Sequence, residues 1–186
     1  MTRGFCIWLT GLSASGKTTT ARALVEALQR FGYETVTLDG DDVRSRLTPE
    51  LGYSSADRSA NVKRVGELAR GGVGEGMAVV CAVVSPFAAG RAECCALIGP
   101  ERFVEVFVDT PLAVCEQRDP KGLYAKARRG ELSSVSGLDL PYEAPTSPDM
   151  VLDTVCSTVE ANVARIVSCL RERRLISSME HPARGA

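Results

Sequence analysis

Residues Gly11-Leu12-Ser13-Ala14-Ser15-Gly16-Lys17-Thr18 fit the pattern G-x-x-x-x-G-K-[ST] at every fixed position. Such a loop is built for phosphate. Its glycines let the backbone come close, and successive N–H groups opening a helix supply positive potential. Lys17 is then expected to reach the β- and γ-phosphates of a nucleoside triphosphate, and the Thr18 hydroxyl to ligate Mg²⁺. The bland alternative is a chance glycine-rich turn, and the context disfavours it: an apolar run precedes the loop and an amphipathic pattern follows.

A second signal is Asp39-Gly40-Asp41. Two carboxylates at a strand end beside a phosphate loop suit proton acceptance from a substrate hydroxyl, or the holding of Mg²⁺-bound water. The same residues would also serve as a turn and a helix N-cap. Basic residues gather downstream: Arg44 and Arg46, then Arg58, Lys63 and Arg64, with Asn61 three residues after Arg58 on the same helical side. Arg118, Lys121, Lys126, Arg128 and Arg129 form a later group. Arginine suits bidentate binding of phosphate- or sulfate-like groups, although any one of these is ordinary as a solvated charge.

The elements that must position these residues follow from hydrophobic periodicity. Phe5 to Thr10 is a near-continuous apolar run, expected of a strand buried on both faces. Further strands are expected at Thr35–Leu38, Met77–Val84, Phe103–Val108 and Met150–Leu152. Between them lie helical patterns, the first with Ala21, Leu24, Val25 and Leu28 on one face, the last with Val155, Val159, Val163, Ile166, Val167 and Leu170. The fold class expected is α/β: a five-stranded parallel sheet with helices on both faces. In an open parallel sheet, ligands bind beyond the C-terminal strand ends, which is where the loop and the DGD turn fall. The glycines at 71–76 should weaken the end of a helix. Residues 119–149 form a long connection, expected to be a lid.

At 186 residues the chain reads as one domain over 1–176, with a disordered tail at 177–186. Its 45% hydrophobic and 24% charged content is that of a soluble globular protein, and a formal net charge of -1 gives no global argument for binding nucleic acid or membrane surfaces. No run of 18 apolar residues and no signal-peptide pattern is present, so a cytoplasmic location is expected. Seven cysteines without a C-x-x-C, and a single histidine at His181, speak against a zinc site and for buried free thiols. The length leaves no room for the extra domains of most motor proteins, and no Asn-Lys-x-Asp guanine-reading sequence occurs.

With these residues in view, the chain closely resembles the adenylylsulfate kinases, P-loop kinases that phosphorylate the 3′-hydroxyl of adenosine 5′-phosphosulfate. The matching blocks are GLSASGKTT (11–19), LDGDDVR (38–44), LGYSSADRSANVKR (51–64), SPF (85–87), FVEVFVDTPLAVCEQRDPKGLYAKAR (103–128) and SGLDLPYEAP (136–145). The resemblance implies a P-loop fold using ATP with Mg²⁺, a homodimer, a separate ATP sulfurylase as a partner, and a role in sulfate assimilation. By matching position it extends the nucleotide site to Thr19 and assigns Arg118 to the ATP adenine. Lys17, Asp39, Asp41 and Ser85 take the catalytic positions, Ser85 as a positioning residue rather than a phosphorylated intermediate. Arg44, Arg58 and Asn61 would hold the acceptor's phosphosulfate and ribose, and Tyr53 and Phe87 would pack on its adenine. Lys121, Leu123 and Gly137 would close over it. Two departures stand out: Val135 replaces an aromatic that would clamp the acceptor's adenine, and Ala88 replaces an arginine. They leave open a changed small nucleotide-like or hydroxylated acceptor, while an inactive nucleotide-binding module is the remaining alternative.

Overall fold

A computed structural model describes residues 4–177. Five strands, β1 (Phe5–Thr10), β2 (Thr35–Asp39), β3 (Ala78–Ala82), β4 (Phe103–Asp109) and β5 (Met150–Asp153), form one sheet in the order β2-β3-β1-β4-β5. Every pairing is parallel. Parallel neighbours need crossovers, and helices supply them: α1 (Lys17–Arg30), α2 (Gly40–Leu47), α3 (Ser55–Gly74), α4 (Ala88–Ile98), α5 (Leu112–Arg118), α6 (Leu123–Arg128) and α7 (Val159–Glu172).

Strand β1 shows why its sequence carries no polar alternation. Successive side chains point to opposite faces, and both faces are covered. Phe5, Ile7 and Leu9 enter the core beneath α1 and α7, with Leu24, Leu28, Ile166 and Leu170. Cys6 and Trp8 enter the core beneath α3 and α4, with Val62, Val65, Ala69 and Ile98. The expected fold class is the observed one.

Three boundaries depart from the periodicity. β3 ends at Ala82 rather than Val84, because the chain turns away towards Ser85, a non-glycine residue at φ 40°. Val155, counted on the stripe of the last helix, is instead exposed in the preceding loop. Asp153 Oδ1 accepts from the N–H groups of both Val155 and Cys156, a local turn that postpones the helix until the Thr158 hydroxyl caps it. The glycines at 71–74 do not break α3, since Val65, Ala69 and Val73 bury one face of the helix to its end. A Cβ at Gly72 would lie 2.9 Å from Val79, whereas one at Gly71 would meet nothing within 4 Å. Gly71→Ala is therefore expected to stabilise the fold by about 0.5–1 kcal/mol through helix propensity, and Gly72→Ala to destabilise it; thermal denaturation of the two variants checks both signs.

Residues 119–149 carry α6 and close a small core against α5, in which Cys115, Tyr124 and Val135 are buried with Leu112, Leu123 and Leu132 around them. All seven cysteines are free; Cys6, Cys81, Cys94 and Cys115 are buried, and burial pushes the Cys94 thiol up to about 12. Among the described residues no group of three or more His, Cys, Asp or Glu is arranged for a metal, and no helix is long and apolar enough to cross a membrane. The tail expected to be disordered lies, except for Ser177, outside the described residues, as does His181.

Candidate active site

The loop after β1 is bent by backbone conformations its glycines permit. Gly11 sits at φ 151°, where a Cβ would come within 2.6 Å of the Val108 carbonyl. Gly16 caps α1 in the left-handed region without a side-chain hydrogen bond, and the first turn holds no acid. The first-turn N–H groups are thus free of a competing carboxylate, as an anion site requires. Lys17 is buried at 8% exposure. Its Nζ donates to the carbonyls of Gly11 at 3.0 Å and Leu12 at 2.6 Å, and lies 3.4 Å from Ser15 Oγ. Burial lowers its pKa to about 8, against the opposing pull of Asp39 and Asp41. Ser13, Ala14, Thr18 and Thr19 complete the loop and the start of α1, with the last two exposed. The Tyr124 hydroxyl donates to the Ser13 carbonyl at 3.0 Å, fastening residues 119–149 to the loop.

Arg118 flanks the same loop. Its guanidinium donates to Thr154 Oγ1 at 2.9 Å and to the Thr154 carbonyl at 2.7 Å, while Thr110 Oγ1 donates to the Ser15 carbonyl at 2.9 Å. A planar cation is thereby held rigid at the side of the loop.

The DGD turn is the helix N-cap of its second reading, and it sits beside the phosphate loop. Asp39 is the N-cap of α2, its Oδ1 accepting from the Asp41 N–H at 3.0 Å, and its Oδ2 accepts from the Thr18 hydroxyl at 2.8 Å. Both its oxygens are engaged. Asp41 is exposed and pairs with Lys121 Nζ across from residues 119–149.

Asp41 also lines a cleft with Arg44, Tyr53, Arg58, Asn61 and Ser85. Arg44 and Arg58 lie over the Tyr53 ring at 4.8 and 5.5 Å, and Arg58 Nη2 donates to the Ser134 carbonyl. Burial and the neighbouring Arg44 lower the pKa of Arg58, so the cleft concentrates positive charge. Asn61 is 3% exposed; its Oδ1 accepts from Thr48 Oγ1 at 3.2 Å and its Nδ2 donates to the Gly40 carbonyl at 3.4 Å, pinning the DGD turn. The Ser85 hydroxyl is buried in a relay: it accepts from Trp8 Nε1 at 3.1 Å and donates to Thr10 Oγ1 at 2.8 Å, which donates onward to the Val84 carbonyl at 2.8 Å.

Other sequence-derived candidates are placed less directly. Phe87 is the N-cap residue of α4 and does not line the cleft, where Pro86 stands instead. Leu123 packs into the small core between α5 and residues 119–149, and Val135, read as a gap in an adenine clamp, is 1% exposed in that same core. Gly137, at φ 92°, leaves room for Leu12 and with it lines an open cavity of about 460 Å³ that extends to Tyr142. The periodicity missed Trp8, Thr10, Arg91, Tyr142 and Thr154. A tryptophan in a fully buried strand and an arginine inside the apolar helix AAGRAECCALI were the available signals, since each must find buried partners.

A parallel sheet whose strand order turns at β1, with a nucleotide-type loop leaving that strand, is the architecture of the P-loop kinases, and this chain is one of them. The profile of the family described as adenylylsulphate kinase matches residues 3–153. The chain is 50% identical over 171 residues to the adenylyl-sulfate kinase of Geotalea daltonii, covering 92% of this chain and 84% of that one. It is 51% identical over 176 residues to that of Citrobacter koseri, covering 95% and 87%. Its structure is similar to that of the Mycobacterium tuberculosis APS kinase CysC in complex with AMPPNP and APS, with a TM-score of 0.88 at 39% identity, covering 92% of this chain and 99% of that one. The chain belongs to the adenylylsulphate kinase family.

Proposed function

We propose that the chain transfers the γ-phosphoryl group of ATP to the 3′-hydroxyl of adenosine 5′-phosphosulfate, giving 3′-phosphoadenylyl sulfate. One observation carries this reading: a single turn joins the two half-sites. Asp39 accepts from Thr18 on the phosphate loop, and Asp41, two residues on, lines the cleft that holds Arg44 and Arg58. A donor loop and an anion-binding acceptor cleft thus meet at a pair of carboxylates. The similar structure in complex with AMPPNP and APS, an ATP analogue and adenosine 5′-phosphosulfate, supports the two substrates.

The division of labour follows from which atoms are engaged. Residues 11–19 would cradle the ATP phosphates, with Lys17 leaving the Gly11 and Leu12 carbonyls for the β- and γ-oxygens. Arg118 would stack at the ATP base. Thr18 and Asp39 present hard oxygen donors 2.8 Å apart beside the loop, a set that fits Mg²⁺. Mg²⁺ would neutralise charge developing on the phosphate oxygens. Asp41 would take the proton of the acceptor hydroxyl, and Arg44 and Arg58 would hold the phosphosulfate, with Tyr53 and Asn61 shaping the cleft. Lys121 would move from Asp41 to the incoming anions as residues 119–149 close, excluding water from the transfer.

The buried lysine gives the reading a pH signature. Phosphates favour the ammonium form, so ATP binding takes up a proton above the free-enzyme value of about 8. The apparent Kd for ATP is expected to rise about tenfold between pH 7 and 9 and to be flat below 7. Calorimetry in buffers of differing ionisation enthalpy reads both the affinity and the proton uptake. The reading as a whole is tested by incubating the enzyme with MgATP, with and without adenosine 5′-phosphosulfate, and identifying the product by mass. Saturable formation of the 3′-phosphorylated nucleotide is expected; ATP binding with the acceptor ignored would redirect the search to other hydroxyl-bearing anions.

A further inference from the structure

Arg91 is a charged side chain that the transfer chemistry leaves unused. It lies in α4 at 3% exposure, yet its donors are satisfied by three separate segments. Nε donates to Glu105 Oε1 on β4 at 2.8 Å, Nη1 to the Ser85 carbonyl at 2.8 Å, and Nη2 to the Glu143 carbonyl at 2.7 Å. Glu143 returns the connection. Its Oε2 accepts from the Ala88 N–H at 2.7 Å, and its own N–H donates to the Pro86 carbonyl at 2.8 Å. Helix α4 has no local side-chain cap, so the Glu143 carboxylate, fifty-five residues away in sequence, fills that place.

These bonds lock two loops together. One contains Ser85 and Pro86, which line the acceptor cleft, and Ser85 is held at φ 40°, a conformation that persists only where its surroundings over-determine it. The other contains Tyr142, which lines the neighbouring cavity and whose hydroxyl lies 2.9 Å from Thr10 Oγ1 in the Ser85 relay. A buried guanidinium is costly, and a hydrophobic side chain of like size would fill the space without that cost. What a hydrophobic side chain could not do is bind one carbonyl from each loop while facing a carboxylate. No bond in the set reaches the phosphate loop or Arg118.

We propose that Arg91 and Glu143 form a clasp that sets the acceptor wall of the site, making them positioning residues for acceptor recognition and not for nucleotide binding. The kinetic part of this inference rests on the function proposed above. Glu143 is exposed, so Glu143→Ala tests the clasp without emptying the core. It is expected to raise the KM for adenosine 5′-phosphosulfate about tenfold while the KM for ATP stays within about twofold. Glu143→Gln should restore the wild-type value, because the amide oxygen still accepts from the Ala88 N–H. Arg91→Lys should act on the acceptor KM in the same direction, since one ammonium cannot span the three partners. Equal movement of both KM values, or no movement in folded Glu143→Ala, overturns the proposal. Hydrogen exchange on the same proteins separates this failure from failure of the function: residues 84–88 and 141–144 should exchange faster in Glu143→Ala while 11–19 do not. Unchanged exchange in those two loops overturns the clasp whatever the acceptor. Wild-type enzyme that binds ATP but turns over no adenosine 5′-phosphosulfate overturns the functional reading alone.

Discussion

Replacing Lys17 by methionine is expected to lower kcat by about a thousandfold or more and, in the same protein, to raise the melting temperature. The first effect follows from removing the cation that neutralises charge on the transferred phosphoryl group. The second follows from burial. The ammonium is desolvated enough to bring its pKa from 10.5 to about 8. Because the folded value lies below the unfolded one, the charge destabilises the fold fully below pH 8, and the penalty is relieved as pH rises from 8 towards 10.5. At neutral pH that corresponds to roughly 3 kcal/mol, offset in part by carbonyls of Gly11 and Leu12 left to water. A gain of a few degrees is the net expectation, at about 2–4 °C per kcal/mol for a chain of this size. Scanning calorimetry at pH 7 and at pH 10 checks the sign, since the difference between the two proteins should shrink at the higher pH. A Lys17→Met protein that melts lower than wild type at pH 7 would show that the ammonium's hydrogen bonds outweigh its desolvation.

Asp41→Asn should lower kcat by about a hundred- to ten-thousandfold, the range for losing a positioned general base, with ATP affinity unchanged. The side chain is 64% exposed, so little stability is at stake, and its surface pairing with Lys121 contributes no more than about 1 kcal/mol. Asp39→Asn should behave differently. Its carboxylate caps α2 and accepts from Thr18, so the variant should need more Mg²⁺ for half-maximal rate and melt lower by the cost of a weakened cap, about 1 kcal/mol or less. Single-turnover rates measured across a Mg²⁺ titration separate the two carboxylates. A fully active Asp41→Asn would remove the residue from the base role and leave Asp39 as the candidate.

Some of this was legible in particular residues. Phe5–Thr10 reads as a two-face buried strand because it has no polar alternation, and it is one to the residue. The phosphate loop is recognisable because glycine at positions 11 and 16 answers a backbone need that no other residue meets there. Lys17, Thr18, Asp39 and Asp41 fall together because the first two open the helix after β1 and the carboxylates end β2 and open α2, both at the C-terminal edge of the sheet. Val155 was misassigned because a hydrophobic stripe cannot report that Asp153 captures the N–H groups of Val155 and Cys156 first.

Local spacing thus determined the sheet, its helices, the phosphate loop and the carboxylate turn, because backbone conformation and one-face burial are decided within a few residues. The long-range contacts around the site were decided by the tertiary structure. Trp8 with Ser85, Arg91 with Glu105 and Glu143, Arg118 with Thr154, and Asp41 with Lys121 join residues 14 to 80 positions apart. Each is a polar or charged group whose partner is found only after folding has removed it from water or brought two loops together. For the buried groups Trp8, Ser85 and Arg91, desolvation makes those partners obligatory, and it depends on the whole packed molecule, not on the chain nearby.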